Sequence, residues 1–232
     1  MNKSTKPSPT VLVVGALATN CWLYPLTEAS SPSASSYAQT QPCVVIDPGA
    51  DSAMIIARMA QLHLYPRYIV LTHGHFDHVA AIPGIVASVF PGAEAPEIAI
   101  HREDAAYLGP EAYSVHQAAF RAVAGSAAYV DALWEPLPPA TRLLAEGDRI
   151  GSFQVLHLPG HSPGSIALYE KEQQLLFSGD TLFRHGVGRT DLPGGDWATL
   201  RHSLNRLFTL DGSCTVYPGH GSRTTIAAEQ QP

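Results

Sequence analysis

Four side chains that commonly bind metals lie within six residues, in the segment His73-Gly74-His75-Phe76-Asp77-His78. If the segment is locally extended, His73 and His75 point to the same side, because side chains two apart on a strand share a face. Asp77 and His78 follow as the chain turns into a helix, so they can address a second position beside the first. Neutral imidazole is a good zinc ligand, whereas carboxylates suit harder ions or bridge two metals. The segment therefore predicts a metal site.

Three further segments share one local pattern with it, an apolar strand that ends in a glycine-containing turn carrying a His or an Asp. Loops that leave one edge of a sheet are the usual place for ligand binding, and glycine allows a tight turn near the site. Three histidines for one ion, and an aspartate with two histidines for another, would leave Asp180 to bridge the two. The candidate metal ligands are His73, His75, Asp77, His78, His161, Asp180 and His220.

The other histidines have simpler structural interpretations, because a lone histidine usually serves packing or hydrogen bonding. His157, for example, lies in a predicted strand two residues before a turn. Asp47 opens the turn Asp47-Pro48-Gly49, where it either hydrogen-bonds a metal-carrying loop or serves the turn alone. The histidines assigned to structural roles are His63, His101, His116, His157 and His202.

Composition and charge narrow the class of partner. The chain has 232 residues, of which 45% are hydrophobic and 15% charged, and no stretch approaches the ~18 apolar residues of a transmembrane helix. The net charge of −6 without a Lys/Arg cluster argues against nucleic acid or an anionic membrane as partner. Cys21, Cys43 and Cys214 are too far apart for a disulfide framework. We therefore expect a cytoplasmic protein that acts on a small molecule.

The hydrophobic pattern predicts two blocks of strands, each with helices, which fit a four-layered α/β sandwich in one domain. Residues 1–10 are expected to be disordered, residues 11–232 to form the domain, and Ser30–Gln41 to form a long mobile loop. The predicted helices are Asp51–Leu64, Val79–Phe90, a helical region within Arg102–Pro139, and Asp196–Phe208. The predicted strands are Val11–Leu26 (single or paired), Cys43–Ile46, Arg67–Leu71, Glu97–Ile100, Phe153–Leu158, Ser165–Tyr169, Leu175–Phe177 and Cys214–Tyr217.

The motif at His73–His78, together with Pro159–His161, Ser178–Asp180 and Gly219–His220, resembles the metallo-β-lactamase superfamily from about Val13 to Gly221. The stretches 178–183 and 186–196 resemble its glyoxalase II-like branch, especially short, single-domain bacterial hydroxyacylglutathione hydrolases. This resemblance implies an αββα sandwich, two transition-metal ions and hydrolysis of a thioester such as S-lactoylglutathione. It also implies the following roles: His73, His75 and His161 for the first metal, Asp77, His78 and His220 for the second, and Asp180 as the bridge, with Asp77 and Asp180 as the catalytic residues.

Several departures from this branch leave alternatives open. We expect no counterpart of the C-terminal helical domain of full-length glyoxalase II, because twelve residues follow His220. The tyrosine that follows the last ligand histidine of those enzymes is replaced here by Gly221-Ser222-Arg223. Arg189 either binds a substrate carboxylate or pairs with Asp191. Zinc is the expected metal, with iron or manganese as alternatives. The alternative function is a mononuclear iron persulfide dioxygenase of the same superfamily. A true β-lactamase is less consistent with Asp180, where such zinc enzymes commonly carry cysteine.

Overall fold

The computed structural model describes residues 7–26, 40–88 and 94–230. Six strands form a first sheet in chain order, antiparallel from the first to the third strand and parallel from the third to the sixth. Since parallel neighbours need a crossover, helices lie between these strands. The strands are β1 (Thr10–Val14), β2 (Thr19–Pro25), β3 (Gln41–Ile46), β4 (Leu64–Val70), β5 (Glu97–His101) and β6 (Arg142–Leu144).

A second six-stranded sheet, in the order β14-β13-β10-β9-β8-β7, is built from the C-terminal half, and β11 and β12 form a separate two-stranded ribbon. Its strands are β7 (Arg149–Ile150), β8 (Phe153–His157), β9 (Ile166–Glu170), β10 (Leu175–Gly179), β13 (Thr215–Pro218) and β14 (Thr224–Thr225). The ribbon consists of β11 (Leu182–Phe183) and β12 (Gly186–Val187). The helices are α1 (Ser52–Gln61), α2 (Phe76–Val79), α3 (Ile82–Ala87), α4 (Ala112–Ala124), α5 (Ala128–Leu133), α6 (Trp197–Leu207) and α7 (Ile226–Glu229), with a 3₁₀ helix at Arg102–Tyr107.

Three hydrophobic clusters separate four layers. In β3, Cys43 and Val45 pack with the helices on one face, whereas Val44 and Ile46 pack against the second sheet. This alternation follows from the two-residue period of a strand, and it buries both faces of the first sheet. A third cluster joins the outer face of the second sheet to α6 through Leu200. The predicted αββα sandwich is therefore confirmed.

The single helix predicted over Val79–Phe90 is confirmed only in part, because Val79 and Ile82–Ala87 are helical but belong to different helices. The chain forms two short helices, α2 and α3, and the first begins at Phe76, inside the histidine motif. Pro83 lies at the start of α3, where its missing N–H and fixed φ favour a new first turn over a continued helix. Residues 89 and 90 lie outside the described residues. The break places Asp77 and His78 on a single helical turn that follows the motif's extended part.

Other elements differ from prediction mainly at their ends. The segment Val11–Leu26 forms a pair of strands, and the predicted helix Asp51–Leu64 ends earlier because Leu64 pairs with β3 as the first residue of β4. The Asp51 carboxylate accepts from the Gly15 N–H instead of capping α1. The loop predicted at Ser30–Gln41 lies almost entirely outside the described residues, as do residues 1–6 of the predicted disordered terminus. None of the helices within the described ranges could span a membrane.

Candidate metal centre

All seven candidate ligands converge at one edge of the two sheets. The chain leaving β4 carries the histidine motif, and the loops that follow β8, β10 and β13 carry His161, Asp180 and His220. Their side chains form two groups whose possible ligand atoms lie within 4.8 Å of one another. The first group is His73, His75 and His161, and the second is Asp77, His78 and His220.

The first group consists of three buried imidazoles. His75 Nδ1 lies 2.9 Å from His161 Nε2, and His73 Nε2 is buried without a hydrogen-bond partner. Burial, followed by the neighbouring histidines, lowers the pKa of His73 well below its usual range and that of His75 to about 3. These two rings are therefore neutral at pH 7, and their nitrogen lone pairs are available to a metal ion.

The second group combines a carboxylate with two imidazoles. Asp77 Oδ2 lies 3.5 Å from His78 Nε2 and 3.4 Å from His220 Nε2, and the Thr19 hydroxyl donates to it at 2.8 Å. Burial alone would lower the pKa of His78, but Asp77, Asp180 and Asp47 raise it to about 9. The same acidic surroundings would favour a bound cation, which would replace the protons on these rings.

Asp180 contacts both groups. Its Oδ2 lies 3.7 Å from His161 Nε2 and 3.5 Å from His220 Nε2, and its Oδ1 lies 3.5 Å from His78 Nε2. Oδ1 is buried and accepts no hydrogen bond from the described residues. Gly219 permits this packing, because a Cβ at that position would overlap Asp180 Oδ1. The carboxylate is thus placed between the two groups with an unsatisfied oxygen.

Asp47 and the Arg189 carbonyl orient the ligands from outside. Asp47 accepts from the Thr72 N–H at 2.7 Å and the Thr72 hydroxyl at 2.6 Å, and its Oδ2 lies 3.0 Å from His78 Nδ1. The first interpretation of Asp47, a hydrogen bond to the metal-carrying loop, is confirmed. His161 Nδ1 donates to the Arg189 carbonyl at 2.7 Å, which leaves Nε2 for a metal. Such outer partners fix the tautomer and orientation of ligand histidines.

Asp104 joins the two principal ligand loops, and the sequence patterns did not single it out. Its carboxylate accepts from Gly74 N at 2.9 Å in the first loop, and from Gly164 N at 2.6 Å and the Ser162 hydroxyl at 2.7 Å in the second. The side chain is fully buried. Burial raises the pKa of this carboxyl, and the three hydrogen bonds oppose that effect.

A third group of possible ligands, His101, Glu103 and His157, has geometry unsuited to one ion. The rings of His101 and His157 stack with centroids 3.9 Å apart and an interplanar angle of 17°. Nearly parallel rings direct their in-plane lone pairs side by side, and not toward a common point. His157 Nε2 also donates to the Pro163 carbonyl at 2.8 Å. Packing and hydrogen bonding explain this pair, as the sequence interpretation of both histidines proposed.

A cavity of about 550 Å³ opens onto the metal centre. Its lining includes Arg189, whose guanidinium pairs with both carboxylate oxygens of Asp191 at 2.6 Å. His116, assigned to a structural role from the sequence, also lines the cavity, and its Nε2 donates to the Tyr107 carbonyl. The structure thus contains the Arg189–Asp191 pair and also places Arg189 at the cavity.

The family model described as the metallo-β-lactamase superfamily matches residues 31–220. The chain belongs to the metallo-β-lactamase superfamily. It is 32% identical over 207 residues to the hydroxyacylglutathione hydrolase GloC of Haemophilus influenzae, covering 81% of this chain and 84% of that protein. All seven candidate ligands lie within the matched region.

Two solved structures of the superfamily are similar over almost the whole chain. TTHA1623 in a di-iron-bound form is 37% identical with a TM-score of 0.76, covering 95% of this chain and 96% of that chain. The B3 metallo-β-lactamase BLEG-1 is 30% identical with a TM-score of 0.75, covering 96% of each. Together with the His/Asp groups, the di-iron relative supports a dinuclear metal site in this metallo-hydrolase superfamily member.

Proposed function

We propose that this protein is a dinuclear metal-dependent hydrolase that cleaves thioesters, such as S-lactoylglutathione or a related hydroxyacyl thioester. The observation that carries the proposal is the position of Asp180, whose oxygens face His78, His161 and His220 at 3.5, 3.7 and 3.5 Å. A carboxylate shared between two ligand groups suits a pair of ions that act on one substrate. The similarity to the Haemophilus hydroxyacylglutathione hydrolase supports the thioester as substrate class.

We assign His73, His75 and His161 to one ion, Asp77, His78 and His220 to the other, and Asp180 to both. The buried, unpartnered His73 Nε2 and Asp180 Oδ1 fit this assignment, because each lacks the partner that a metal would provide. Zinc is the proposed metal, and iron or manganese would accept the same donors. When bound, such ions supply a water with a pKa of about 7 and polarise a carbonyl oxygen.

Groups around the ligands fix the orientation of the Asp77 carboxylate and the position of the proton on His161. The Thr19 hydroxyl occupies one lone pair of Asp77 Oδ2, so the carboxylate keeps one orientation and can accept a hydrogen bond from the attacking water. The Arg189 carbonyl keeps the proton of His161 on Nδ1. Asp77 and Asp180 are the proposed catalytic carboxylates, and the Thr19 hydroxyl keeps Asp77 in place before the substrate arrives.

The cavity favours a leaving group that needs no proton. Beyond the ligands and Arg189, His116 is the one titratable side chain among the described residues that line it. Burial lowers the pKa of His116 to about 4, and its Nε2 proton is committed to the Tyr107 carbonyl. A thiolate, whose unperturbed pKa is about 8.5, departs without an acid far more easily than an amide nitrogen does. This supports a thioester as substrate.

We further propose that residues 11–232 form one domain that works in the cytoplasm. Cys21, Cys43 and Cys214 are all buried and unpaired, which fits a reducing compartment. The proposal can be checked by cell fractionation and by counting free thiols in freshly isolated protein.

Substitution of the second group tests the proposed function directly. In His78→Ala and His220→Ala, hydrolysis of S-lactoylglutathione should fall by at least ~10²-fold, because metal stabilisation is worth several kcal/mol at ~1.4 kcal/mol per tenfold. His202→Ala is the matched control, since His202 is exposed on α6 and bonds only its own helix at the Ala198 carbonyl. Metal analysis should give two ions per wild-type chain.

The same variants separate hydrolase from dioxygenase. Oxygen uptake with glutathione persulfide should be negligible in the wild type. Robust uptake that survives both His78→Ala and His220→Ala would show that the first group suffices, and would establish the mononuclear iron dioxygenase instead. Saturation at one ion per chain in excess zinc or iron would refute the dinuclear assignment.

A further inference from the structure

The cavity beside the metal centre has apolar walls from two different layers of the fold. The α4 helix provides Ala119, Phe120 and Val123, and it packs on the outer side of the first sheet. The small ribbon provides Phe183 from β11 and Val187 from β12, next to the second sheet. Five of the seven candidate ligands line the same cavity as these two apolar surfaces: His75, Asp77, His161, Asp180 and His220.

The side chains that line the cavity provide too little positive charge to bind a strongly anionic group inside it. Among the described residues, Arg189 is the one Lys or Arg of the lining, and both of its hydrogen bonds to Asp191 measure 2.6 Å. The side chains of this pair are 55% and 64% exposed, so they lie toward solvent. A glutathione carrier bears two carboxylates and one ammonium group. Charged groups of this kind would lie near the exposed pair and in water, because burial without partners is costly.

The part of the substrate left for the cavity is the acyl group. A hydroxyacyl group such as lactoyl carries a hydroxyl, which would lose hydration against Phe120, Val123 and Val187 unless it found a partner. An aliphatic or aromatic acyl group loses nothing there and gains from leaving water. The volume of about 550 Å³ is ample for such a group, since pockets for drug-sized ligands span roughly 300–1,000 Å³.

We propose that this cavity is an acyl-binding site that selects thioesters with apolar acyl groups larger than lactoyl, such as hexanoyl or benzoyl. The inference rests on the proposed thioester hydrolysis and specifies its substrate class. The acyl group lies between α4 and the β11–β12 ribbon, and the thiol carrier extends toward Arg189 and solvent. Among thioesters of one carrier, the chain length and polarity of the acyl group then determine specificity.

Binding and turnover should be measured separately, with one neutral carrier, N-acetylcysteamine. For binding, calorimetry would compare its S-ethyl and S-hexyl thioethers, which cannot be hydrolysed, on the zinc-loaded protein. The hexyl compound has four more methylene groups than the ethyl compound, and each buried methylene strengthens binding ~4-fold. Burial of two of the four is therefore enough for the hexyl compound to bind at least ~10-fold more tightly. For turnover, kcat/KM for the hexanoyl thioester should exceed that for the acetyl and lactoyl thioesters by a similar factor.

Val123→Asp places a charge on the apolar wall, and Ala122→Asp is its matched control on the exposed side of the same helix. Val123 lines the cavity and is half-buried, whereas Ala122 is exposed and does not line it. Val123→Asp should remove the ~10-fold preference for hexyl over ethyl and for hexanoyl over acetyl. Ala122→Asp should leave both preferences unchanged. Thermal unfolding verifies that both variants fold.

The outcomes distinguish the two proposals. If thioesters are cleaved but lactoyl or acetyl is preferred, the acyl-site inference is wrong and the hydrolase proposal stands. If the hexyl thioether binds more tightly in a Val123-dependent manner but no thioester is cleaved, the apolar site stands and the proposed function fails. Equal binding of the ethyl and hexyl compounds overturns the acyl-site inference whatever the activity.

Discussion

Replacement of Asp104 by alanine should weaken the fold and the metal centre together. Its carboxylate accepts three hydrogen bonds, from Gly74 N at 2.9 Å, Gly164 N at 2.6 Å and the Ser162 hydroxyl at 2.7 Å. Ser162 keeps a second partner in the Ser165 hydroxyl, but both backbone donors would be left buried and unpaired. At ~1.5–3 kcal/mol for each hydrogen bond to a charged group, the loss of two lowers the free energy of unfolding by ~3–6 kcal/mol.

Asp104→Asn should have an intermediate effect. The single side-chain carbonyl oxygen of asparagine can accept hydrogen bonds from one of the two ligand loops, whereas its NH₂ group would face the donors of the other loop. We therefore expect the free energy of unfolding to fall by ~1–3 kcal/mol. Both variants should also bind zinc ~10–100-fold more weakly, the usual effect of removing a partner that orients the ligands. Glu103→Ala is the control, because Glu103 is adjacent and exposed.

Urea unfolding of the chelator-treated protein measures the first effect, and titration against a chromophoric chelator measures the second. Zinc affinity tests positioning specifically, since a residue that served folding alone would leave it unchanged in the folded fraction. Stability of Asp104→Ala within ~0.5 kcal/mol of the wild type, as for an ordinary surface substitution, would refute the reasoning. An unchanged zinc affinity would limit Asp104 to a folding role.

Two further substitutions test the proposed ligands and the substrate contact. Asp180→Asn should weaken both metal sites at once, because an uncharged amide bridges two cations poorly; metal titration would contradict the bridge if both ions bound as in the wild type. Arg189→Ala should raise KM more than it lowers kcat for glutathione thioesters, since it removes binding common to the ground and transition states. It should leave KM unchanged for N-acetylcysteamine thioesters, which lack a carboxylate, and equal effects on both carriers would contradict the contact.

The candidate centre was predictable because each ligand is part of a local pattern. His161, Asp180 and His220 each follow an apolar strand and a glycine. In the second sheet, the strand before Asp180 (β10) is adjacent to the strand before His220 (β13), and one strand separates it from the strand before His161 (β8). The start of α6 was similarly local: the predicted helix begins at Asp196, whose side chain accepts from the Thr199 N–H as a helix start requires. The positions of these residues could be predicted because each depends on its neighbours in the sequence.

The supporting contacts could not be predicted, because they join residues far apart in the chain. Thr19 reaches Asp77 across 58 positions, and Asp104 reaches Gly164 across 60. Neither residue belongs to a motif, and a buried threonine or aspartate has many ordinary explanations. Short strands such as β7 were missed for a different reason, since two residues contain no measurable period.

The metal centre joins the two halves of the fold. The first sheet supplies the histidine motif and the second supplies the other ligands, and several polar contacts also cross between the two sheets near the site. Ile166 N donates to the Thr72 carbonyl at 2.7 Å, Asn20 N donates to the Gly219 carbonyl at 2.7 Å, and Asp104 binds both loops. Metal removal and Asp104→Ala therefore weaken the same junction. Perturbations that share partners are not additive, so Asp104→Ala should cost less stability in the chelator-treated protein than in the zinc-loaded protein. Equal costs would mean that Asp104 stabilises its own loops independently of the metal centre.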